Sequence, residues 1–175
     1  MAEQGLYRTV LTGASGGIGR AIARLLAPRS SWLLLVGRNR DELEALRLEL
    51  GPDRTHVICG DLCAAATREA LCAAALALGG ANLLVNSAGT SDFHAFATQE
   101  DERIRQLLEI NLLVPMLLTR ALLPQLQQQA RAQVINIGSI FGYIGFPGFG
   151  AYCAGKFGLR GFSQSLRREL ADTGV

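Results

Sequence analysis

The sequence predicts an α/β fold built on a doubly wound parallel sheet. Short apolar runs alternate with longer stretches of helical periodicity along the chain. No repeat, low-complexity tract or linker interrupts that alternation. The turns richest in glycine and small polar residues fall immediately after the apolar runs, the edge at which such sheets hold ligands.

In chain order, residues 7–12 read as the first strand, after which Ile18, Ala21, Ile22, Leu25 and Leu26 recur at helical spacing. Residues 32–36 form a second, buried strand. Asn39 then caps a helix, with Glu42 three residues on and Leu43, Leu46 and Leu50 along one face. A third strand is expected over 55–59, a third helix over 64–78 and a fourth strand over 83–86. A long helical region follows over 98–128, bent near Pro115, which has no N–H to give to the helical ladder. The fifth strand covers 133–138 and the last helix 152–172, with Leu159, Phe162, Leu166 and Leu170 inward. Strands spaced by helices imply right-handed crossovers and helices on both faces of the sheet.

The chain has 175 residues, enough for one domain with a substantial core. Apolar residues make up 49% and charged residues 18%, which excludes disordered and fibrous classes. A net charge of +2 gives no field that argues for nucleic acid or an anionic membrane as partner. The greasiest stretch, 107–123, carries Glu109, Asn111 and Arg120, the pattern of a buried helix rather than a membrane span. Cys59, Cys63, Cys72 and Cys153 form no Cys-x-x-Cys pair, the usage of a reduced, cytoplasmic chain. His56, Cys59 and Cys63 have neither zinc spacing nor a fourth ligand nearby, so no metal is expected.

The first strand runs into Thr12-Gly13-Ala14-Ser15-Gly16-Gly17-Ile18-Gly19 and then a helix. Glycines permit a tight turn and close approach of backbone N–H groups to a phosphate, and the helix N-terminus adds orphan donors and partial positive charge. The loop lacks the Gly-Lys-Ser/Thr ending of a hydrolytic P-loop and departs from the commoner G-x-G-x-x-G spacing. A glycine-rich turn that binds nothing is the alternative; its place after the first strand favours a dinucleotide, held by Gly13, Ser15, Gly17, Ile18 and Gly19. Where NAD sites carry Asp or Glu after the second strand, this chain has Arg38, which would attract a 2′-phosphate. NADP(H) is therefore expected over NAD(H), with Ser15 adding a hydroxyl; a solvated surface charge is the plainer reading of Arg38. Asp61 and Leu62, after the third strand, are placed to meet the adenine edge.

The fourth strand ends in a second small-residue turn, Asn86-Ser87-Ala88-Gly89, and the fifth is followed by Ser139. Tyr152 and Lys156 stand four apart, on one helical face. A free phenol titrates near ~10 and is a poor acid at neutral pH; a neighbouring ammonium stabilises its anion and makes proton exchange usable. Such a pair alone decorates many solvated helices. Here it converges with the strand-end turns.

Taken together, Thr12-Gly13-x-x-x-Gly17-x-Gly19, Asn86-Ser87-Ala88-Gly89, Asn111, Ser139 and Tyr152-x-x-x-Lys156 resemble, in order and spacing, the short-chain dehydrogenase/reductases of the classical type. The resemblance covers essentially the whole chain. One departure is Ser87, where the family usually has a second Asn. It implies a single NAD(P)-binding Rossmann-type domain that moves a hydride between NADP(H) and a carbonyl or secondary alcohol. Tyr152 would exchange the proton with the substrate oxygen. Lys156 would favour the phenolate and hold the nicotinamide ribose. Ser139 would hydrogen-bond the substrate oxygen, and Asn111 would hold a water for proton return. Asn86, Ala88 and Gly89, with Tyr152 and Lys156, join the cofactor set, and the resemblance also implies a homo-oligomer.

Gly174 is expected to cap the last helix, with Val175 near the start of a further strand. The family continues with a sixth strand, a Pro-Gly turn at the nicotinamide, a substrate-covering segment and a seventh strand, so the chain is expected to be incomplete at its C-terminus, with its fifth strand an open edge. A second reading follows: a catalytically incompetent nucleotide-binding or partner-binding remnant, which would bind NADPH weakly and turn over poorly. A methyltransferase of related fold is disfavoured, since it needs no Tyr/Lys pair. The apolar loop 141–149 hints at an apolar substrate body, ordinary loop packing being the alternative.

Overall fold

The computed structural model describes residues 7–175. Five parallel strands, β1 (Tyr7–Thr12), β2 (Ser30–Gly37), β3 (Thr55–Cys59), β4 (Leu83–Asn86) and β5 (Gln133–Asn136), form one sheet in the order β3-β2-β1-β4-β5. The helices are α1 (Gly17–Leu26), α2 (Arg40–Leu50), α3 (Ala65–Ala77), α4 (Asp101–Leu108), α5 (Val114–Gln127) and α6 (Gly150–Glu169). The sheet steps outward from β1 to β3 on one side and from β4 to β5 on the other. The strand order thus reverses between β1 and β4, which opens a crevice above their carboxyl ends.

Alternate strand residues feed two separate cores. Val10, Leu34, Val36 and Leu84 point toward α3 and α5, where Leu71, Ala75, Val114, Leu118, Leu122 and Leu126 are buried. Leu11, Leu33, Leu35, Leu83 and Val85 point the other way, onto Ala23 of α1 and Leu43 and Leu46 of α2. Strands covered on both faces are why the runs read as continuous rather than alternating apolar sequence. At β5, the edge strand, Ile135 is exposed.

Local chemistry sets most of the boundaries. The Asn39 side chain accepts from the Glu42 N–H at 3.2 Å, the expected cap of α2. Four expectations are corrected. The inward face of α1 is Gly19, Ile22, Ala23 and Leu26, whereas Ile18, Ala21 and Leu25 are exposed; both sets have helical spacing, and Ile18 is drawn outward onto the crevice. The long helical region begins with a separate 3-10 turn, Phe96–Thr98, before α4. It is distorted before Pro115 rather than at it: Glu109–Leu113 is a π turn in which the Val114 N–H reaches back to the Glu109 carbonyl. Pro115 is the second residue of α5 and follows the π turn without a break, so the N–H it lacks falls where the ladder changes its spacing. Finally, α6 ends at Glu169 with Leu170 as its cap, and the Gly174 carbonyl accepts from the Ala132 N–H at 2.7 Å.

By length and composition the continuous helical run Asp101–Gln127 is apolar enough to cross a membrane. Its buried stripe of Leu107, Val114, Leu118, Leu122 and Leu126 is spent on the domain's own core. Helix α6 packs on α4 and the π turn at close range. A side chain at Gly158 would meet Leu112 Cδ2 at 2.9 Å, and one at Gly155 would meet Asn111 Cβ at 3.3 Å. Glycine at these two positions lets the helix carrying Tyr152 and Lys156 lie against Asn111.

Candidate active site

The crevice between β1 and β4 is a cleft of about 890 Å³. Gly13, Ser15, Gly16, Gly17, Ile18 and Gly19 form its floor. The loop closes on itself: the Gly16 N–H reaches the Gly13 carbonyl at 3.0 Å, and Ala14 N–H reaches the Val36 carbonyl at 3.1 Å. Gly13 has a φ of +67°, and a side chain there would meet Ala88 Cα at 2.8 Å. At Gly19 a Cβ would lie 2.1 Å from the Gly13 carbonyl oxygen. Among the described residues no side chain caps α1 at Gly16, which leaves the N–H groups at the start of the helix to the cleft. These donors and the helix dipole suit a phosphate group.

The turn after β4 locks to this loop through Thr12. Its buried hydroxyl oxygen accepts from the Ser87 N–H at 3.0 Å and the Ala88 N–H at 3.1 Å, which sets Ala88 and Gly89 on the cleft wall. At the other end stand Gly37, Arg38 and Asn39 after β2, with Asp61, Leu62 and Cys63 after β3. Among the described residues no carboxylate pairs with the Arg38 guanidinium. The nearby Glu42 is held in an ion pair by Arg20, whose Nε also donates to the Ser15 carbonyl at 3.0 Å. A Cβ on Gly37 would come within 2.9 Å of Ser15 Oγ, so glycine there makes room for the hydroxyl beside Arg38. Asp61 Oδ1 accepts from the Cys63 N–H at 3.0 Å. Burial, helped by the Asp61 charge, pushes the Cys63 thiol up to about 11, so it stays protonated and is no nucleophile at neutral pH.

Asn86 lies behind the cleft wall rather than on it. It is buried and gives its amide to Asn136 Oδ1 at 2.8 Å and to Thr119 Oγ1 at 3.4 Å. Asn136 in turn donates to Ser163 Oγ at 2.9 Å, so β4, β5 and α6 are tied by side chains. Asn111, in the π turn, is 1% exposed and donates to the Thr90 carbonyl at 2.7 Å and the Leu107 carbonyl at 3.0 Å. Among the described residues its Oδ1 has no partner; it is buried and faces Gly89, where a Cβ would come within 2.7 Å of it. Lys156 Nζ is close to the same point, 3.7 Å from that Cβ position, and donates to the Ile137 carbonyl at 3.0 Å. Burial pushes its ammonium below the usual 10.5.

Tyr152 is half-buried, one turn before Lys156, whose Nζ lies 5.8 Å from the centre of the phenol ring. Its ring packs edge-on to Phe141 and Phe149, at 6.2 and 6.3 Å between centroids. Ser139 lies past the end of β5, which stops at Asn136, and its Oγ accepts from the Phe141 N–H at 3.2 Å. Ser139 and Lys156 line a second, smaller groove of about 260 Å³ between β5 and α6. Tyr152 lines neither cavity. Gly89, on the wall of the first cavity, has Asn111 Oδ1 and Lys156 Nζ beside it, and Lys156 also lines the second.

A dinucleotide fits what is present. The glycine floor leaves backbone where side chains would fill the cleft, the helix start offers donors, and Arg38 supplies an unpaired charge at the far end. The roles of Thr12, Gly37 and the Arg20–Glu42 pair escaped sequence reasoning. A threonine directly before a glycine loop is the only local signal any of them gives.

The sequence profile of the short chain dehydrogenase family matches residues 8–175. Nodulation protein G of a Rhizobium species is 38% identical over 169 residues, which are 96% of this chain and 69% of that protein. The 3-oxoacyl-(acyl-carrier-protein) reductase of Rickettsia felis is 35% identical, over 95% of this chain and 68% of its own length. A short-chain dehydrogenase structure from Streptomyces avermitilis superposes with a TM-score of 0.88 at 35% identity, covering 94% of this chain and 60% of that one. A metagenomic short-chain oxidoreductase in complex with NADP superposes with a TM-score of 0.90 at 32% identity, covering 98% of this chain and 78% of that one. The chain therefore spans about 60 to 78% of these relatives. With the parallel sheet, the glycine-floored cleft and this likeness in hand, the chain belongs to the short-chain dehydrogenase family, whose members are oxidoreductases.

Proposed function

We propose that the chain transfers a hydride between NADP(H) and a small-molecule carbonyl or secondary alcohol, with Asn111, Ser139, Tyr152 and Lys156 as its catalytic group. One observation carries the reading. The cleft runs from the unpaired Arg38 guanidinium, over the uncapped start of α1, to Gly89, where the Lys156 ammonium and the free Asn111 carbonyl oxygen stand. The nicotinamide supplies the hydride when bound. The residues supply the rest.

In reduction, as the carbonyl carbon gains the hydride, the Tyr152 hydroxyl gives its proton to the carbonyl oxygen; in oxidation the flow reverses. Ser139 is suited to hold that oxygen, because its Oγ already accepts from Phe141 and its own proton remains to donate. The Lys156 ammonium, fixed by the Ile137 carbonyl, keeps a positive charge beside the phenol and offers its other protons to the ribose hydroxyls. Asn111 Oδ1, polar, buried and without a partner among the described residues, would hold a water through which Lys156 recovers a proton. Gly13, Ser15, Gly17, Ile18 and Gly19 take the pyrophosphate end, Arg38 and Ser15 the 2′-phosphate, and Asp61 and Leu62 the adenine edge. The solved relative bound to NADP supports that choice of cofactor.

Arg38→Asp tests the reading. Replacing the cation by a carboxylate is expected to weaken NADPH binding at least about 30-fold and to leave or improve NADH binding, since a charge-assisted pair becomes a repulsion. Fluorescence titration with both cofactors measures it; an unchanged ratio removes Arg38 from the phosphate site. The position of Tyr152 outside both cavities favours a second reading, in which the chain binds dinucleotide without turning it over. NADPH binding with no turnover of any ketone would select it.

A further inference from the structure

Five of the seven phenylalanines lie in two loops, one after β4 and one after β5. The loops are fastened by the His94 N–H, which donates to the Gly148 carbonyl at 2.8 Å. Gly148 has a φ of +80°, and a Cβ there would fall 2.4 Å from the Phe93 ring, so the ring lies directly on the glycine. Phe149 forms the hub of a continuous aromatic strip: its ring centre is 5.2 Å from Phe93, 5.0 Å from Phe141 and 6.1 Å from Phe146. Phe141 and Phe146 stack at 5.3 Å with only 22° between planes. The strip ends on the ring of Tyr152.

Such a cluster could be ordinary core, but its exposure argues otherwise. Phe93 is 69% exposed and Phe146 49%. Rings held this firmly and left in water beside reactive groups are what a site for a flat apolar ligand requires. Charge is also informative. Residues 140–149 include no charged side chain, and Asp92, beside Phe93, is held by Arg103 at 3.4 Å. Within residues 140–149 a phosphorylated or carboxylated substrate body would find no counter-charge; the Arg160 guanidinium stacks on Tyr143, which is outside the strip.

We propose that the strip Phe93–Phe149–Phe141–Phe146 is the substrate-recognition wall, and that the preferred substrates are uncharged aryl or polycyclic ketones and the corresponding secondary alcohols. The inference rests on the hydride-transfer reading above for its reaction, and on the strip's continuity with Tyr152 for its place. The flat body lies against the rings, extending their offset stack, and its carbonyl oxygen is directed toward the Tyr152 and Ser139 hydroxyls. Tyr143, with the Arg160 guanidinium 4.1 Å above its ring, lies on the same uncharged loop.

The test uses 2-acetylnaphthalene and 2-butanone as probes. Ligand-detected NMR measures binding to the chain without cofactor, and initial rates with NADPH measure turnover. The naphthyl ketone is expected to bind at least about ten-fold more tightly than butanone, and Phe146→Ala or Phe93→Ala to weaken it about three- to ten-fold. Phe146→Leu keeps apolar volume, guards against a folding defect and is expected to lose about half of that effect on a logarithmic scale. The ratio of kcat/KM for naphthyl ketone over butanone should fall in step. Equal binding of the two ketones, or naphthyl binding unmoved by all three variants, overturns the wall. So does binding that vanishes as protein concentration rises, because a second copy then covers the strip. Ring-dependent binding without turnover in the wild type would instead overturn the hydride-transfer reading and leave the wall standing. Turnover with no aryl preference would do the reverse.

Discussion

Tyr152→Phe is expected to lower kcat on any accepted ketone by about 10²- to 10⁴-fold, the usual contribution of a positioned general acid. NADPH affinity should stay within about two-fold, because the substitution removes an oxygen and keeps the ring. That ring is held edge-on by Phe141 and Phe149 and faces the Lys156 ammonium, contacts that phenylalanine retains. The variant therefore separates proton exchange from packing, which a smaller residue would not do. Steady-state rates and a cofactor titration on the same preparation decide it. Turnover within a factor of ten of wild type would mean that another group moves the proton.

Gly19→Val is expected to reduce NADPH affinity by at least about 100-fold and to destabilise the fold by about 1–3 kcal/mol, the range for over-packing a tight site. Even the first carbon of the new side chain would sit 2.1 Å from the Gly13 carbonyl oxygen and 2.9 Å from Ala14 Cα. Those are backbone atoms and cannot swing aside, so the loop must open and its donors must leave the phosphate position. Gly17→Ala is the matched control: nothing lies within 4 Å of its Cβ, and it sits at the helical start of α1. Its melting temperature should equal or exceed that of wild type, since alanine is the better helix residue by about 1 kcal/mol. NADPH bound by Gly19→Val as tightly as by wild type would contradict the phosphate-loop account.

Much of this is legible in the sequence. β1, β3 and β4 lie where their apolar runs predict, and Asn39 announces α2 because a cap is a local hydrogen bond. What was not legible depends on contacts between distant segments. Ile18 and Leu25 share helical spacing with Ile22 and Leu26, and only the position of the cleft and the sheet decides which set faces in. The π turn that carries Asn111 arises where α6 presses on the helical run at Gly155 and Gly158, a tertiary fact without a local motif. Thr12 looks like one more strand residue until its hydroxyl is found holding the turn after β4.

The site residues divide the same way. The glycine loop, Arg38, Asp61 and Leu62 line one cleft, as their places after strands suggest. Asn86 turns away into a side-chain relay through Asn136 to Ser163. Lys156 is buried against a carbonyl oxygen, with burial pushing its proton affinity down. The unfolded chain holds that proton more tightly, so the cost of the buried charge is present at neutral pH and is relieved only as pH rises toward 10.5.

The nucleotide cleft and the Tyr152–Lys156 pair are proposed to serve one reaction, although Tyr152 is not among the residues lining the cleft. A crystal structure of the chain with NADP+ measures this directly. The account predicts the adenine end beside Arg38, the pyrophosphate over Gly16–Gly19, and the nicotinamide ring facing Tyr152 across a space for one carbonyl group, whose carbon would lie about 3–3.5 Å from the ring and whose oxygen would reach the Tyr152 hydroxyl. A nicotinamide lying away from Tyr152, or a dinucleotide bound outside the glycine-floored cleft, would contradict it.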